Sequence, residues 1–326
     1  MATYKGIKGI HLNTVAGDIG TVALGDIWYN STLGKIRVAG STAGAWSSGG
    51  NVNNARYSGG SFGTQTAAVL FGGLNYNQSP PSRPYVEEYN GTAWSEVTDI
   101  TAGTRGAGCG TLTAGLTMPF ENSTECYEYD GTDWTAGGDY PAPTGRACIA
   151  GTQTAAVGFA GTGILDQSNE YDGSSWTESG DLVNSHCNRS FCGVQTVALC
   201  ITGGNCASPE AVVLNVEHYD GSSWSEGTNV NTGVSEGSAS QQGSTSTIKF
   251  SGDVIPGYTV NTEEWDGSSW TEVGNMATGR QQVGGAGTYA AALAAAGYNY
   301  PSPAPITNIT EEWTGDVITT ATVTTS

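Results

Sequence analysis

Only eleven basic side chains are spread through 326 residues. Five of them, Arg56, Arg105, Arg146, Arg189 and Arg280, stand just ahead of short apolar runs and read as one recurring position, occupied once by Glu236. A guanidinium is a planar fork that matches a carboxylate. Such a set has two uses. It can pair with an equally recurrent acidic set, Glu88, Glu128, Glu170, Glu264 and Glu312. It can instead ring an anionic ligand, such as an acidic sugar or a partner's carboxylates. Both readings stay open. Tyr76, Tyr85, Tyr298 and Tyr300 lie in proline-rich stretches, 74–85 and 298–307, and a third long connection spans 205–215. Tyrosines in stiffened loops are rigid amphipathic groups suited to sugar or protein contact.

Other chemistries are poorly supplied. The histidines are His11, His186 and His218, and nothing in their spacing converges them on a metal. His218 stands where other repeats carry Glu, which reads as a surface substitution. The seven cysteines, Cys109, Cys126, Cys148, Cys187, Cys192, Cys200 and Cys206, form no CxxC pair. They read as free, packed thiols of a reducing compartment, with a Cys192–Cys200 pairing as the lesser alternative. No GxSxG element occurs. No catalytic residues, metal or cofactor are expected, and the chain is not read as an enzyme.

What would position these groups is a repeat. "EEYNGTAW", "YEYDGTDW", "NEYDGSSW", "EHYDGSSW" and "EEWDGSSW" carry Tyr89, Tyr129, Tyr171, Tyr219 and Trp265, each followed five residues later by Trp94, Trp134, Trp176, Trp224 or Trp270. With Trp313 in "EEWTGD", the aromatics are 40, 42, 48, 46 and 48 residues apart. Short strands at a period of 40–50 residues predict an all-β, six-bladed β-propeller. In the first unit, strands are expected up to Phe62, over "AAVLF", over "YVEEY" and over "AWSEV". Asn-Gly and Asp-Gly predict two-residue hairpins. Flanking Tyr and Trp should pack on one face and seal neighbouring blades. The last unit lacks its tryptophan, and Trp46 stands unattached near the N-terminus. A strand through Trp46 completing the last blade would close the ring and remove its open edge.

The chain carries 30 acidic residues and a net charge of −19. At long range such a surface repels nucleic acid and anionic membranes. No apolar run is long enough to span a bilayer, so neither membrane insertion nor nucleic-acid binding is expected. "MATYKGIKGIHL" has no signal-peptide core, so Sec export is not expected.

Each unit resembles the kelch repeat: an apolar second strand, a double glycine (Gly72-Gly73 and Gly203-Gly204), then the Tyr and Trp. The double glycine is degenerate or absent in the other units. The Asp-Gly-x-x-Trp phrase is also similar to the sialidase Asp-box, but there one residue separates Asp from Gly, so that chemistry is not carried over. Kelch-like propellers include galactose oxidase, a distant alternative that the histidine placement does not favour. "GDIWYNSTLGKIRVAG", with Asp26, Trp28 and Tyr29, resembles a short β element of tailed-phage virion proteins. The whole chain looks like kelch-like virion or tail-fibre proteins of marine tailed phages. The resemblance implies a leader (1–40) for attachment or oligomerisation, a propeller (41–316) and a β-prone tail (317–326) that pairs with the leader or a neighbour. It implies a structural protein of the virion, made in the host cytoplasm. Its partners would be other virion proteins, a host-surface glycan and further copies of itself, as in a trimer. A host-glycan adhesin proper is the alternative.

Overall fold

The computed structural model describes residues 13–100, 103, 105–159, 161, 166–185, 187–204, 211–300 and 305–323. Among these residues every regular element is a strand, and the strands form seven four-stranded sheets. Two compact units result: residues 45–314, and residues 1–44 together with 315–326.

The larger unit holds six antiparallel sheets. Sheet one comprises Gly60–Thr64, Ala67–Phe71, Val86–Tyr89 and Trp94–Glu96. Sheets two, three, four and five repeat it from Gly108–Thr111, Cys148–Thr152, Ser190–Val194 and Ser238–Ala239 onward. In sheet six, Gly284–Thr288, Ala291–Ala295 and Thr310–Thr314 take their fourth strand from Ala45–Ser48, with Trp46 opposite Trp313. First strands of consecutive sheets touch in chain order, and that of sheet six touches that of sheet one. The 205–215 connection is shorter than its sequence suggests: Val197–Gly204 and Val212–Tyr219 are eight-residue partners with a bulge between Ile201 and Gly203.

The repeated phrase builds both the sheet and its contact with the next. Tyr89 pairs with Trp94 across the last hairpin, their rings 4.9 Å apart. Pairs Tyr129–Trp134, Tyr171–Trp176, Tyr219–Trp224 and Trp265–Trp270 repeat this at 4.6–5.3 Å. Trp46 and Trp313 sit 5.7 Å apart. The indole N–H of each fourth-strand tryptophan then donates to the preceding sheet or the chain leaving it. Trp94 reaches Thr310, Trp134 Thr98, Trp176 Gly138, Trp224 Ser168, Trp270 Thr228 and Trp46 Thr262. Gln65, Gln153 and Gln195, in the recurring "GTQT" and "GVQT" turns, donate side-chain N–H groups to carbonyls of the preceding sheet.

The hairpins differ from the two-residue expectation. Tyr89 and Trp94 are the last paired residues, so the loop holds four residues, and only Gly91 has positive φ. The Asn90 side-chain oxygen accepts the N–H groups of Thr92 and Ala93, at 3.0 and 2.9 Å. Asp130, Asp172, Asp220 and Asp266 do the same. An Asx residue capping its own turn makes the wider loop stable without a second left-handed residue.

In the smaller unit Ile27–Asn30 lies between Asn13–Val15 and Lys35–Thr42, and Val317–Thr322 pairs along the outer side of Lys35–Thr42. The sequence boundary at residue 40 therefore falls inside a strand. Trp28, read as an attachment residue, is fully buried, and Asp26 caps the N–H of Ala23 at 2.7 Å. Asp26 and Tyr29 stay partly exposed.

The turn carboxylates set an acid limit. Donors within the turn hold Asp130, Asp172, Asp220 and Asp266 below the usual carboxylate value, and the Ser268 hydroxyl with the Ser269 and Ser268 N–H groups takes Asp266 to about 2. A folded pKa below the unfolded one gives stability that is present above ~3.9 and is lost as pH falls through the folded value. Asp266→Asn keeps the oxygen acceptor, as Asn90 already does, and removes the titration. Unfolding midpoints measured from pH 6 to 2 should fall less steeply for the variant; superimposable profiles would contradict the assignment.

Candidate functional site

The five arginines occupy three repeat positions. Arg56 and Arg280 precede the strand starts Gly60 and Gly284 by four residues, Arg105 and Arg146 adopt left-handed backbone just ahead of their strands, and Arg189 abuts Ser190. Glu236 shares the left-handed position of Arg105 and Arg146. Counting back from the glycine of the first hairpin separates the classes: seven residues from Gly63 to Arg56 and from Gly287 to Arg280, five from Gly110 to Arg105 and from Gly151 to Arg146, four from Gly193 to Arg189.

Arg56 and Arg280 are wholly buried and are not ligand groups. Arg56 Nη1 donates to Glu87 Oε1 at 2.7 Å, and Arg280 lies 3.3 Å from Glu311. In sheet five Lys249 replaces the arginine and meets Glu263 at 2.8 Å. Burial pushes the Arg56 guanidinium below its ordinary value against the pull of Glu87, and takes Arg280 to about 10. The partners are thus the glutamates two residues before each aromatic, rather than the adjacent set expected from the sequence. Neighbouring residues in a strand face opposite ways, so Glu87 and Glu88 cannot serve the same side. Glu87 also accepts the N–H groups of Asn53 and Asn54, which ties the incoming chain to sheet one.

The adjacent set holds sheet to sheet. Tyr129 donates its hydroxyl to Glu88, Tyr171 to Glu128 and Tyr219 to Glu170, each at 2.7 Å. Tyr89 donates to Glu312, joining sheet one to sheet six. Sheet six has Trp313 in place of the tyrosine, and Tyr289 supplies the hydroxyl to Glu264. Sheet five has Trp265, which offers no hydroxyl. There the preceding sheet carries His218, which packs edge-on against Trp265 at 5.6 Å. His218 is therefore a contact between sheets rather than a surface substitution, and burial lowers its pKa.

Arg105, Arg146 and Arg189 line a pocket open to solvent that draws on all six sheets. Arg189 is buried and donates Nη2 to the Asn184 carbonyl at 3.0 Å, so of the three only Arg105 and Arg146 present partly exposed guanidinium groups to this pocket. At its rim Ser58, Arg105, Arg146, Asn188, Glu236 and Gln282 all have φ between 53° and 57°. Non-glycine residues held there cost of order 1–3 kcal/mol each and persist only where surrounding bonds fix them. Those bonds run from sheet to sheet: Glu236 N–H to Asn188 O, Gln282 N–H to Glu236 O, and Ser58 N–H to Gln282 O. Arg146 meets Asn188 at 2.9 Å and Glu236 at 3.6 Å, while Arg105 meets Glu121 at 3.1 Å. Gln241 lies deeper and donates to the carbonyls of Ser61 and Gly108.

The long loops meet the same end of the sheets, because Leu74 bridges to Tyr57 and Tyr298 bridges to Gln281, next to rim residues Ser58 and Gln282. Tyr298 stacks on Tyr57 (5.2 Å), Tyr57 on Tyr76 (5.7 Å), and Tyr258 meets Tyr298 at 6.5 Å. Tyr76 and Tyr300 are 63% and 62% exposed. Burial and the Tyr76 hydroxyl raise the pKa of Tyr57, so that phenol keeps its proton at neutral pH. Tyr85 stands apart from this cluster, under the Arg83 guanidinium at 5.7 Å. The sequence reading missed Tyr57 and Tyr258, which lie far in the chain from the loops it singled out and meet them only through ring contacts. His11, His186 and Cys206 lie outside the described residues. Among the described residues no three His, Cys, Asp or Glu side chains are grouped to hold a metal. Cys187 is disulfide-bonded, which corrects the expectation of free thiols throughout, whereas Cys109, Cys126, Cys148, Cys192 and Cys200 are free and buried.

Removing one member of a buried ion pair strands the other. Arg56→Met should cost about 3–5 kcal/mol in denaturant unfolding, and adding Glu87→Gln should recover part of the loss. An Arg56→Met protein as stable as wild type would contradict the pairing.

No family model matches the chain, and no curated protein matches it. Solved structures do. That of YjhT superposes with a TM-score of 0.61 at 11% identity, over 84% of this chain and 99% of YjhT. Likeness at that identity carries the fold and nothing more: the chain has an all-β, β-propeller-like fold.

Proposed function

We propose that residues 45–314 form a six-bladed, kelch-like propeller, closed by Ala45–Ser48, that serves as the displayed binding module of a tailed-phage virion protein. Closure is supported by the Trp46–Trp313 pairing and by the Tyr89–Glu312 bond from the first sheet to the sixth. The virion assignment rests on "GDIWYNSTLGKIRVAG" and the style of the repeats. In this reading residues 1–40 and the tail attach the module to other virion proteins, and the loop face contacts a host glycan or a neighbouring subunit. The protein acts by binding and not by catalysis.

The observation that carries the binding reading is the tyrosine cluster. Sheets one, five and six each contribute to it, beside a pocket whose rim holds Arg105, Arg146 and Glu236. Exposed rings on anchored loops lose little entropy on contact. Tyr57 anchors the array from below and leaves Tyr76 and Tyr300 open.

Adsorption competition tests it. Purified protein titrated against particles should saturate host cells and block adsorption, and Tyr76→Ala/Tyr298→Ala/Tyr300→Ala should reduce blocking at least tenfold without moving the unfolding midpoint by more than a few degrees. Folded protein that fails to bind cells, with a triple variant that instead weakens particle assembly, would replace host attachment by a decoration role. Normal activity of the triple variant in both assays would sink the binding-face assignment.

A further inference from the structure

The smaller unit exposes one apolar, uncharged sheet face. Register assigns its residues. Ile27 pairs with Val38 and Tyr29 with Ile36, so all four share one face. On the outer strand Val317 and Ala321 pair with Thr42 and Val38, and the N–H of Val323 bonds Ile36 O, which places them on that same face. Thr14, Gly40 and Thr319 complete it, by their register with Tyr29 and with each other. Not one of these residues is charged, in a chain that carries 41 charged side chains. Ile27 is 52% exposed, and Val317 and Val323 are 47% each.

The opposite face shows the reverse. Trp28, Asn30 and Ala39 are buried there, and Arg37 pairs with Asp18 at 3.1 Å. The sheet therefore buries its large aromatic on one face and leaves most of its aliphatic residues open on the other, with Ile318 the exposed aliphatic of the first. A soluble monomer rarely exposes a contiguous apolar patch of this kind, and a larger one marks an interaction surface.

Charge argues for the occupant. Residues 1–44 and 315–326 hold four basic and three acidic side chains, whereas residues 45–314 hold seven basic and 27 acidic. Two copies approaching through their larger units would repel, because each carries an excess of 20 negative charges. The smaller unit, at +1, is the part of the surface where identical chains meet without that repulsion. Its open face contains no charge that would be desolvated, and β-branched faces pack on one another at about 10 Å.

We infer that this face, centred on Ile27, Ile36, Val38, Val317 and Val323, is a self-association surface that packs against the same face of further copies of the chain. It concerns assembly and is independent of what the loop face binds, so either can fail without the other.

Sedimentation velocity of the full chain across a hundredfold concentration range tests it. The expected result is a species of at least twice the 33.4 kDa chain mass. Ile36→Asp/Val323→Asp should return it to a single chain at all concentrations. Ile318→Asp, on the opposite face of the same outer strand, should leave the oligomer unchanged. Thermal melts of each variant establish that the larger unit stays folded. A wild-type chain that remains a monomer throughout overturns the inference. An oligomer that survives Ile36→Asp/Val323→Asp also overturns it.

Discussion

The structure depends on a bond between a tyrosine hydroxyl on one sheet and a glutamate on the sheet before it. Tyr171 to Glu128 is representative: the phenol spans the gap between sheets while its ring stacks on Trp176 of its own sheet. One side chain thus joins the last hairpin of a sheet to its neighbour. Burial raises the phenol pKa to about 12 at Tyr171, so the donor keeps its proton across the physiological range. The carboxylate acceptor and the neutral donor remain matched, and the net contact does not rely on a long-range field in a chain of net charge −19.

Departures from the pattern show what it must satisfy. Where the aromatic becomes Trp265 the hydroxyl disappears, and the facing glutamate becomes His218, which packs edge-on against the indole with its buried Nε2 unbonded. Where it becomes Trp313, a second tyrosine, Tyr289, reaches Glu264 from the first hairpin of sheet six. The repeat keeps the gap filled, with a hydrogen bond from a tyrosine hydroxyl to a glutamate at five junctions and ring packing alone at Trp265. The buried Arg56–Glu87 and Lys249–Glu263 pairs act within sheets, tying the incoming chain to the third strand. This division of labour leaves the loops free to vary, and the exposed tyrosines lie there.

Much of this was legible in the sequence, for identifiable reasons. The phrase around Tyr89 and Trp94 marks third and fourth strands because ring pairing across a hairpin demands that spacing. The unattached Trp46 pointed to a strand borrowed from the N-terminus, and it does pair with Trp313. The arginines were harder. Three positions within four residues of one another look like one when only their distance to an apolar run is read, and the backbone conformation that separates them has no signature in residue type. The glutamate assignment failed because Glu87 and Glu88 are chemically identical neighbours, and only strand alternation tells them apart. Tyr57 and Tyr258 were missed because their ring contacts join segments far apart in the chain. The disulfide at Cys187 carried no spacing signal.

The most direct test is a double-mutant cycle on one bond between sheets, with Tyr171→Phe, Glu128→Met and both together in denaturant unfolding. Methionine removes the acceptor, whereas a glutamine oxygen would still accept the hydroxyl. The structure predicts a favourable coupling of about 0.5–1.5 kcal/mol between the two changes, because each alone forfeits the same bond. Strictly additive losses would mean that the hydroxyl and the carboxylate do not act on each other, and that the sheets are held by aromatic packing without the bond from tyrosine to glutamate.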